Sequence, residues 1–244
     1  MRVIPLLDLP QRPQDIRLPS RQFFNQGSVT ACFSCALATC LEALQQSTSA
    51  LSALFHFFNV AMRWPNAVDE GMSQAVGYGC FKQQGICDFA LHSLAIVREN
   101  LADSRRPSST AFQNALTRCP RQNDRGQNPL RALGSGPLAT LRWKAAMARR
   151  QPILLILHTN AAYWQLENSG RPAEGVEDVW VSSDADFGSQ LHAAAILGTS
   201  ESNAAFIVQD SRGPTFGRGG QWYLKYDMTI GSAIDAAYTL EYPN

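Results

Sequence analysis

Cys32 stands where chemistry is easiest to place. It opens the run Ala31 to Gln46, which holds no glycine or proline and whose apolar residues Ala31, Phe33, Ala36, Leu37, Cys40, Leu41 and Leu44 recur at spacings of three and four. That spacing predicts a buried helix. A thiol at a helix N-terminus meets unpaired N–H groups and the positive end of the helix dipole, which favour the thiolate, the nucleophilic form. A thiolate still needs a histidine to hold its proton and a third group to orient that histidine. His56 lies among Phe55, Phe57 and Phe58, and His92 in an apolar stretch, so both read as core or boundary residues; His158 ends a strand-like run. His192 opens a strand, Ala193 to Leu197, and 18 residues later Asp210 follows a second, Phe206 to Gln209. Neighbouring strands joined by a short turn can hold the imidazole of one beside the carboxylate of the other, the base–orienter pair that a cysteine nucleophile requires.

Blander readings exist. A free cysteine is most often a buried apolar residue. Asp210-Ser211-Arg212-Gly213 is also ordinary turn chemistry, and Gln26 gains interest only from standing six residues before Cys32. Cys32-Phe33-Ser34-Cys35 is a C-x-x-C. A redox pair of that kind wants a βαβ setting, and no strand-like run precedes it. A zinc site wants a second tight pair, which Cys80 and Cys87 do not make. No metal or cofactor is expected, and the remaining cysteines read as core or near-core thiols.

The elements that must position these residues fall in two groups. Helical runs come first, at Ala31–Gln46, Leu51–Trp64, Ser73–Gln84 and Phe89–Leu101, with Ser28 or Thr30 as a candidate cap for the first and Gly85 closing the third. Ser104–Pro137 is rich in Arg, Ser, Gln, Asn, Gly and Pro and reads as a long loop or insertion, and Thr140–Arg150 as one more helix stopped by Pro152. Strand-like runs follow at Ile153–His158, Ala193–Leu197, Phe206–Gln209, Gln221–Tyr226 and Tyr238–Tyr242. Helices first and strands second predict an α+β fold, with a helical lobe and a sheet or barrel lobe. We read 1–244 as a single domain, with the helical lobe over about 23–110 and the β-rich lobe over about 111–244. Residues 1–22 read as an extended arm.

Composition limits the partners. The 244 residues are 45% hydrophobic, enough for a real core, with net charge +1. No apolar run approaches the roughly 20 residues of a membrane helix, so no membrane partner is expected. The opening residues reach Pro5 and Asp8 before a signal-peptide core builds up, so a cytoplasmic setting is expected, or delivery to a target cell by a signal-independent route. Charge is uneven: Arg98 to Arg150 carries eleven basic residues against three acidic, while Asn160 to Gln190 carries six acidic against one basic. Both read as solvated faces, and the basic stretch has only Phe112 and Trp143 to stack bases, so nucleic acid is an unfavoured partner.

Several blocks in order resemble the papain-like cysteine peptidases, the bacterial branch in particular: Asp15-Ile16-Arg17, Asn25-Gln26-Gly27, Ala31-Cys32-Phe33, Asp69-Glu70-Gly71-Met72 followed by Phe81 to Ile86, His192 to Gly198, and Phe206 to Pro214 running to the glycine-rich Phe216 to Gly220. The resemblance implies a two-lobe fold, a helical lobe packed against an antiparallel sheet or barrel lobe, with the site in the cleft between. It makes Cys32 the nucleophile, His192 the general base and acid, and Asp210 the orienting group where the family usually has Asn. It makes Gln26 an oxyanion donor together with the Cys32 backbone N–H. Glu70 and Gly71 would border the substrate, with Arg212 beside them. The implied activity is peptide-bond hydrolysis through a thioester, with protein or peptide substrates and an inhibitor or immunity protein as possible partners.

The departures from the family pattern raise further expectations. Val29 replaces a cysteine that is often bridged, so that disulfide is absent. Arg212 replaces a tryptophan that shields the histidine–orienter pair, which predicts a weakened pair or an Arg212–Asp210 contact that competes with it. Cys32 to His192 spans 160 residues against roughly 130–150 in the family, which the Ser104–Pro137 insertion absorbs. Only about 20 residues precede Gln26, which leaves no room for an inhibitory pro-segment. Eighteen of the 21 basic residues are arginine, which suggests a GC-rich bacterial source and an effector or toxin. The alternatives are an inactive papain-like binding module, or a related Cys–His amidase, isopeptidase or transglutaminase-like enzyme.

Overall fold

A computed structural model describes residues 15–45, 49–120, 130–160, 163–164, 179–180, 190–230 and 233–240. The acidic run beyond Asn160 falls largely outside the described residues, as do residues 1–14 of the N-terminal arm.

The buried helix is α1 (Cys32–Gln45), in which every residue from Phe33 to Ala43 is buried. Such a helix needs partners on all sides. On one flank lie α2 (Ala53–Arg63), α3 (Ala67–Glu70) and α4 (Gln74–Gln84). Ser52 and Ser73 cap α2 and α4 by accepting from Phe55 N at 3.1 Å and Val76 N at 3.3 Å, satisfying donors that helix starts leave open. Thr30 does not cap α1. Its hydroxyl instead donates to the carbonyls of Ala67 and Val68, tying α3 to the loop before Cys32 and leaving the first N–H groups of α1 open.

His56 and Glu42 are structural. Burial holds the His56 imidazole neutral, down to about 4, so Nε2 donates to Gly77 O at 2.9 Å and Nδ1 accepts from Ser34 Oγ at 2.8 Å. One side chain thereby joins α1, α2 and α4. Glu42, buried within α1, accepts from Leu51 N at 2.7 Å and Gln22 Nε2 at 2.9 Å, fixing the incoming arm to the helix.

Two expectations are corrected here. Phe89–Leu101 is not one helix but 3-10 turns at Phe89–Leu91 and Arg98–Leu101. Its backbone is taken by tertiary partners: Phe89 N donates to Ala50 O at 2.7 Å, and His92 O accepts from Ser52 Oγ at 2.8 Å. The Ser104–Pro137 stretch, read as loop, contains helix α5 (Ser109–Leu116), capped by Ser108, and strand β2 (Leu130–Ala132). Ala111, Ala115 and Phe112 pack α5 onto Phe55, and Gly85 ends α4 so close to it that a Cβ there would lie 1.9 Å from Ala115 O.

On the other flank of α1 is the sheet. β1 (Ile16–Arg17), β2, β3 (Ile153–His158), β4 (Val179–Trp180), β5 (Leu191–Ser200), β6 (Ala205–Gln209), β7 (Gln221–Lys225) and β8 (Ile234–Leu240) form one sheet in the order β2-β8-β3-β5-β6-β7-β4, with β1 also on β5. All pairings are antiparallel except β4 with β7. Among the described residues the order does not close into a barrel; the sheet is open. Helix α6 (Ala139–Ala148) packs Trp143 against Phe206, with ring centres 5.4 Å apart. The α+β architecture expected from the order of helices and strands is therefore present, and α1 lies between its two layers. All six cysteines are free thiols, and Val29 is a buried core residue.

In the basic segment Arg98 is paired with Asp69, Arg118 with Asp88 at 2.6 Å and Lys144 with Glu201 at 2.8 Å. No helix among the described residues is long and apolar enough to cross a membrane.

Candidate active site

Helix α1 packs on β5, and that packing brings two of the sequence candidates together. Cys32 is the first residue of α1 and half-buried; His192 is the second residue of β5 and buried. β6 returns antiparallel beside β5 and delivers Asp210 just past its end. His192 Nε2 lies 3.1 Å from Asp210 Oδ1. With Nε2 committed to Asp210, Nδ1 is the ring nitrogen left for the hydrogen bond that His192 makes to Cys32.

The three groups shift one another's ionisation. Burial alone would push the Cys32 thiol up, but the hydrogen bond and charge of His192, with the backbone amides of Ala193 and Phe33, hold it below its ordinary value. Burial works against a charged His192, yet the Asp210 carboxylate and the bond to Cys32 raise it to about 10. Burial likewise opposes the Asp210 charge, and His192, Tyr163 and Trp222 together keep that carboxyl below the usual range. Thiolate, imidazolium and carboxylate are thus mutually supported at neutral pH. The other five thiols, Cys35, Cys40, Cys80, Cys87 and Cys119, are all raised by burial and stay protonated.

Asp210 is held by more than its histidine. Oδ1 also accepts from Ser211 N at 2.8 Å, and Oδ2 accepts from Tyr163 Oη at 2.8 Å and Trp222 Nε1 at 3.0 Å. Sequence reasoning missed Tyr163 and Trp222. The available signal was general: a carboxylate placed in a core must collect donors, and Tyr163 and Trp222 are aromatic donors close in sequence to β3 and in β7. Both are buried, and the Tyr163 ring lies against those of His192 and Phe216, each with centres 5.4 Å apart.

Arg212 departs from expectation. It makes no ion pair with Asp210 among the described residues. Its guanidinium stacks on Trp164, 4.1 Å from the ring centre, with its charge beside Tyr163. The pair is not bare either: Tyr163, Phe216 and Trp222 surround the place where a weakened, wetter contact was expected.

Gln26 is buried and oriented. Its Oε1 accepts from Ser211 Oγ, and Nε2 donates to Val29 O at 3.0 Å. An amide nitrogen has two hydrogens, so one remains for the cleft. The Cys32 backbone N–H has no intrahelical acceptor at this position. Gln26, Cys32, His192, Glu70, Gly71 and Arg212 all line one cleft of about 720 Å³, with α3 and Gly71 on one side and β3 and β5 on the other. Gly71 adopts φ +85° and is half-buried, and Glu70 is exposed at the rim. Every residue proposed from sequence is therefore in the same cleft, except Asp210, which lies behind His192.

No protein-family model matches the sequence, and no curated protein matches it. Solved structures do. Xylellain, a cysteine protease from Xylella fastidiosa, is similar at 16% identity and TM-score 0.69, over 95% of this chain and 87% of its own. Digestive procathepsin L 3 of Tenebrio molitor larval midgut is similar at 14% identity and TM-score 0.65, over 98% of this chain and 73% of its own. The bromelain protease from Ananas comosus, solved in complex with the E64 inhibitor, is similar at 16% identity and TM-score 0.61, over 93% of this chain and 99% of its own. The helices and unclosed sheet described above match the α+β fold of these neighbours. The chain has the fold of the papain-like cysteine proteases.

Proposed function

We propose that this protein is a cysteine peptidase in which Cys32, His192, Asp210 and Gln26 perform hydrolysis of peptide bonds. The Cys32–His192–Asp210 hydrogen-bond chain, opening on a cleft beside Gln26, is the observation that supports it. The Cys32 thiolate attacks the substrate carbonyl carbon, and the carbonyl π electrons move to oxygen. The oxyanion is met by the free Gln26 N–H and the Cys32 backbone N–H. His192 then gives its proton to the amine as the C–N bond breaks, leaving a thioester. Water, deprotonated by His192, attacks the thioester and releases the carboxylic acid and Cys32. Glu70, Gly71 and Arg212 border the bound peptide. We also propose the single-domain division, with lobes over about 23–110 and about 111–244, because the cleft lies between helices and sheet.

The test is intact mass after brief exposure of the reduced protein to an epoxide peptide mimic, together with hydrolysis of a denatured protein substrate read as new peptide N-termini. One adduct, lost in Cys32→Ala and His192→Ala, with new termini from wild type alone, is the expected result. An adduct with ammonia or a cross-link in place of new termini moves the assignment to an amidase or transglutaminase-like enzyme. No adduct on folded wild type overturns it in favour of an inactive binding module. The arginine-rich composition supports a further proposal, a bacterial effector or toxin held by an inhibitor or immunity protein. Wild-type expression that slows growth of a bacterial host, where Cys32→Ala does not, is its expected signature.

A further inference from the structure

Three side chains and one backbone amide converge on Asp210, and two of the side chains do not line the cleft. Tyr163 is fully buried, donates to Oδ2 at 2.8 Å and packs its ring on His192. Trp222 donates to the same oxygen at 3.0 Å. On the far side of Tyr163 stands Arg212, its positive charge beside the Tyr163 hydroxyl and its guanidinium held flat over Trp164, with Nε unpartnered among the described residues. Trp164 in turn meets Tyr163 edge-on, with ring centres 5.2 Å apart. Two hydrogen bonds, Tyr163 to Asp210 and Asp210 to His192, thus link the residue beside Arg212 to the imidazole that faces Cys32.

We infer that Tyr163 is a positioning residue for the catalytic pair, fixing which oxygen Asp210 turns to His192, and that Arg212 acts on the pair through Tyr163. This rests on the peptidase reading of the site. A carboxylate that rotates loses its bond to Nε2. Two donors on Oδ2 and the Ser211 amide on Oδ1 leave one orientation in which all four donors, His192 included, are served. The hydroxyl also lets a permanent cation support the buried carboxylate without displacing the imidazolium, which a direct Arg212–Asp210 pair would do. The charged and titratable groups around Asp210 are His192, Cys32, Cys35, Tyr163 and Arg212. Cys35 stays neutral, so among the described residues the positive charge near Asp210 is that of His192 and, beyond Tyr163, Arg212.

The experiment reads the Cys32 thiolate directly, without relying on turnover. The full-length reduced protein is alkylated with iodoacetamide across pH, and modification of Cys32 is followed by peptide mass, which separates it from the other five thiols. Removing the hydroxyl takes one of the two donors that fix Oδ2, so the carboxylate can turn Oδ1 away from Nε2 and the imidazolium loses support. In Tyr163→Phe the pH at which the thiolate appears should therefore rise, by about one unit, roughly a tenfold change in the ionisation equilibrium. Arg212→Met should shift it the same way in the wild-type background and add little to Tyr163→Phe. A phenylalanine keeps the ring, and melting of each variant shows whether the fold survives; Trp222→Phe, which leaves Tyr163 in place, serves as the second variant on the same oxygen. An unmoved edge in folded Tyr163→Phe, or independent and additive effects of the two substitutions, overturns the inference while leaving the peptidase reading intact. A wild-type edge at the ordinary thiol value overturns both.

Discussion

The side-chain oxygen of Gln26 accepts a hydrogen bond from the hydroxyl of Ser211, the residue next to Asp210, and the Gln26 backbone N–H donates to the Ser211 backbone carbonyl at 2.8 Å. One residue thus sets which end of the Gln26 carboxamide faces the cleft and ties it to the block that holds the imidazole. A donor aimed at a developing oxyanion acts in the transition state rather than on the bound substrate. Gln26→Ala should lower kcat by about a hundredfold or more with little change in KM. Ser211→Ala, which removes one of the two bonds that orient the carboxamide and leaves the other to Val29 O, should cost roughly fivefold, the equivalent of about 1 kcal/mol. Steady-state kinetics on a peptide substrate separates these outcomes.

Asp210 stands where the resembling family usually has Asn, and its partners show why the charge is kept. Ser211 N, Tyr163 Oη, Trp222 Nε1 and His192 Nε2 all present donors. An asparagine would turn its NH2 toward at least one N–H that cannot rotate away. Asp210→Asn should therefore lose stability by about 1–3 kcal/mol, the cost of a buried unsatisfied donor, seen as a lower urea midpoint. It should also lower the pKa of His192 from about 10. The alkaline limb of kcat/KM, where the imidazolium loses the proton it gives the leaving amine, should move to lower pH. A limb that stays in place would show that the Asp210 charge does not support the imidazolium.

His56 sets an acid dependence of stability unrelated to catalysis. Its imidazole is pushed down to about 4 by burial, against an unfolded value near 6.5. Below about 6.5 the unfolded chain binds a proton that the folded chain refuses, so stability falls as pH drops, until the folded value near 4 is reached. The full effect is about 3 kcal/mol. His56→Gln has no such proton to bind and can still donate to Gly77. Its unfolding free energy should fall less steeply than that of wild type between pH 7 and pH 4, as urea titrations at each pH will show.

Gly85 allows the end of α4 to meet α5. At φ +68°, with a Cβ position 1.9 Å from Ala115 O, no other residue fits without moving backbone. Gly85→Ala should destabilise the protein by about 2 kcal/mol or more. Melting should fall by about 2–4 °C for each kcal/mol, while alkylation of Cys32 remains intact.

Legibility in the sequence followed the length and regularity of each pattern. The run of α1 and the β-branched or alanine-rich strands β3, β5 and β6 carry period and burial together, so they were readable, as was the place of Cys32 at the start of one and His192 at the start of another. α5 was not, because Ser109 to Leu116 sits in a polar, proline-bearing stretch and owes its helix to a serine cap and to contact with Phe55. Phe89–Leu101 looked helical because its apolar residues suit a helix, yet Ala50 and Ser52 claim its backbone. Tyr163 and Trp222 lie 47 and 12 residues from Asp210, and no local pattern announces a donor whose acceptor is that far along the chain. Arg212 was misread for the same reason: its nearest acidic neighbour in sequence is Asp210, but its partners are Trp164 and Tyr163.

Both faces of β5 are buried and carry small side chains. Ala193, Ala194 and Ala195 are each at most 4% exposed, and strand alternation puts Ala194 on the face that carries His192, toward α1. A methyl group is the spacer between the helix that carries the sulfur and the strand that carries the imidazole. Loops can lengthen without disturbing that spacing, since their added chain goes to the surface. The seam has no comparable freedom: one carbon more at Ala194 would wedge helix from strand and widen the gap the proton must cross. Insertions are accordingly tolerated in the connections and added bulk is not at Ala194, where the thickness of the seam sets the distance from sulfur to imidazole.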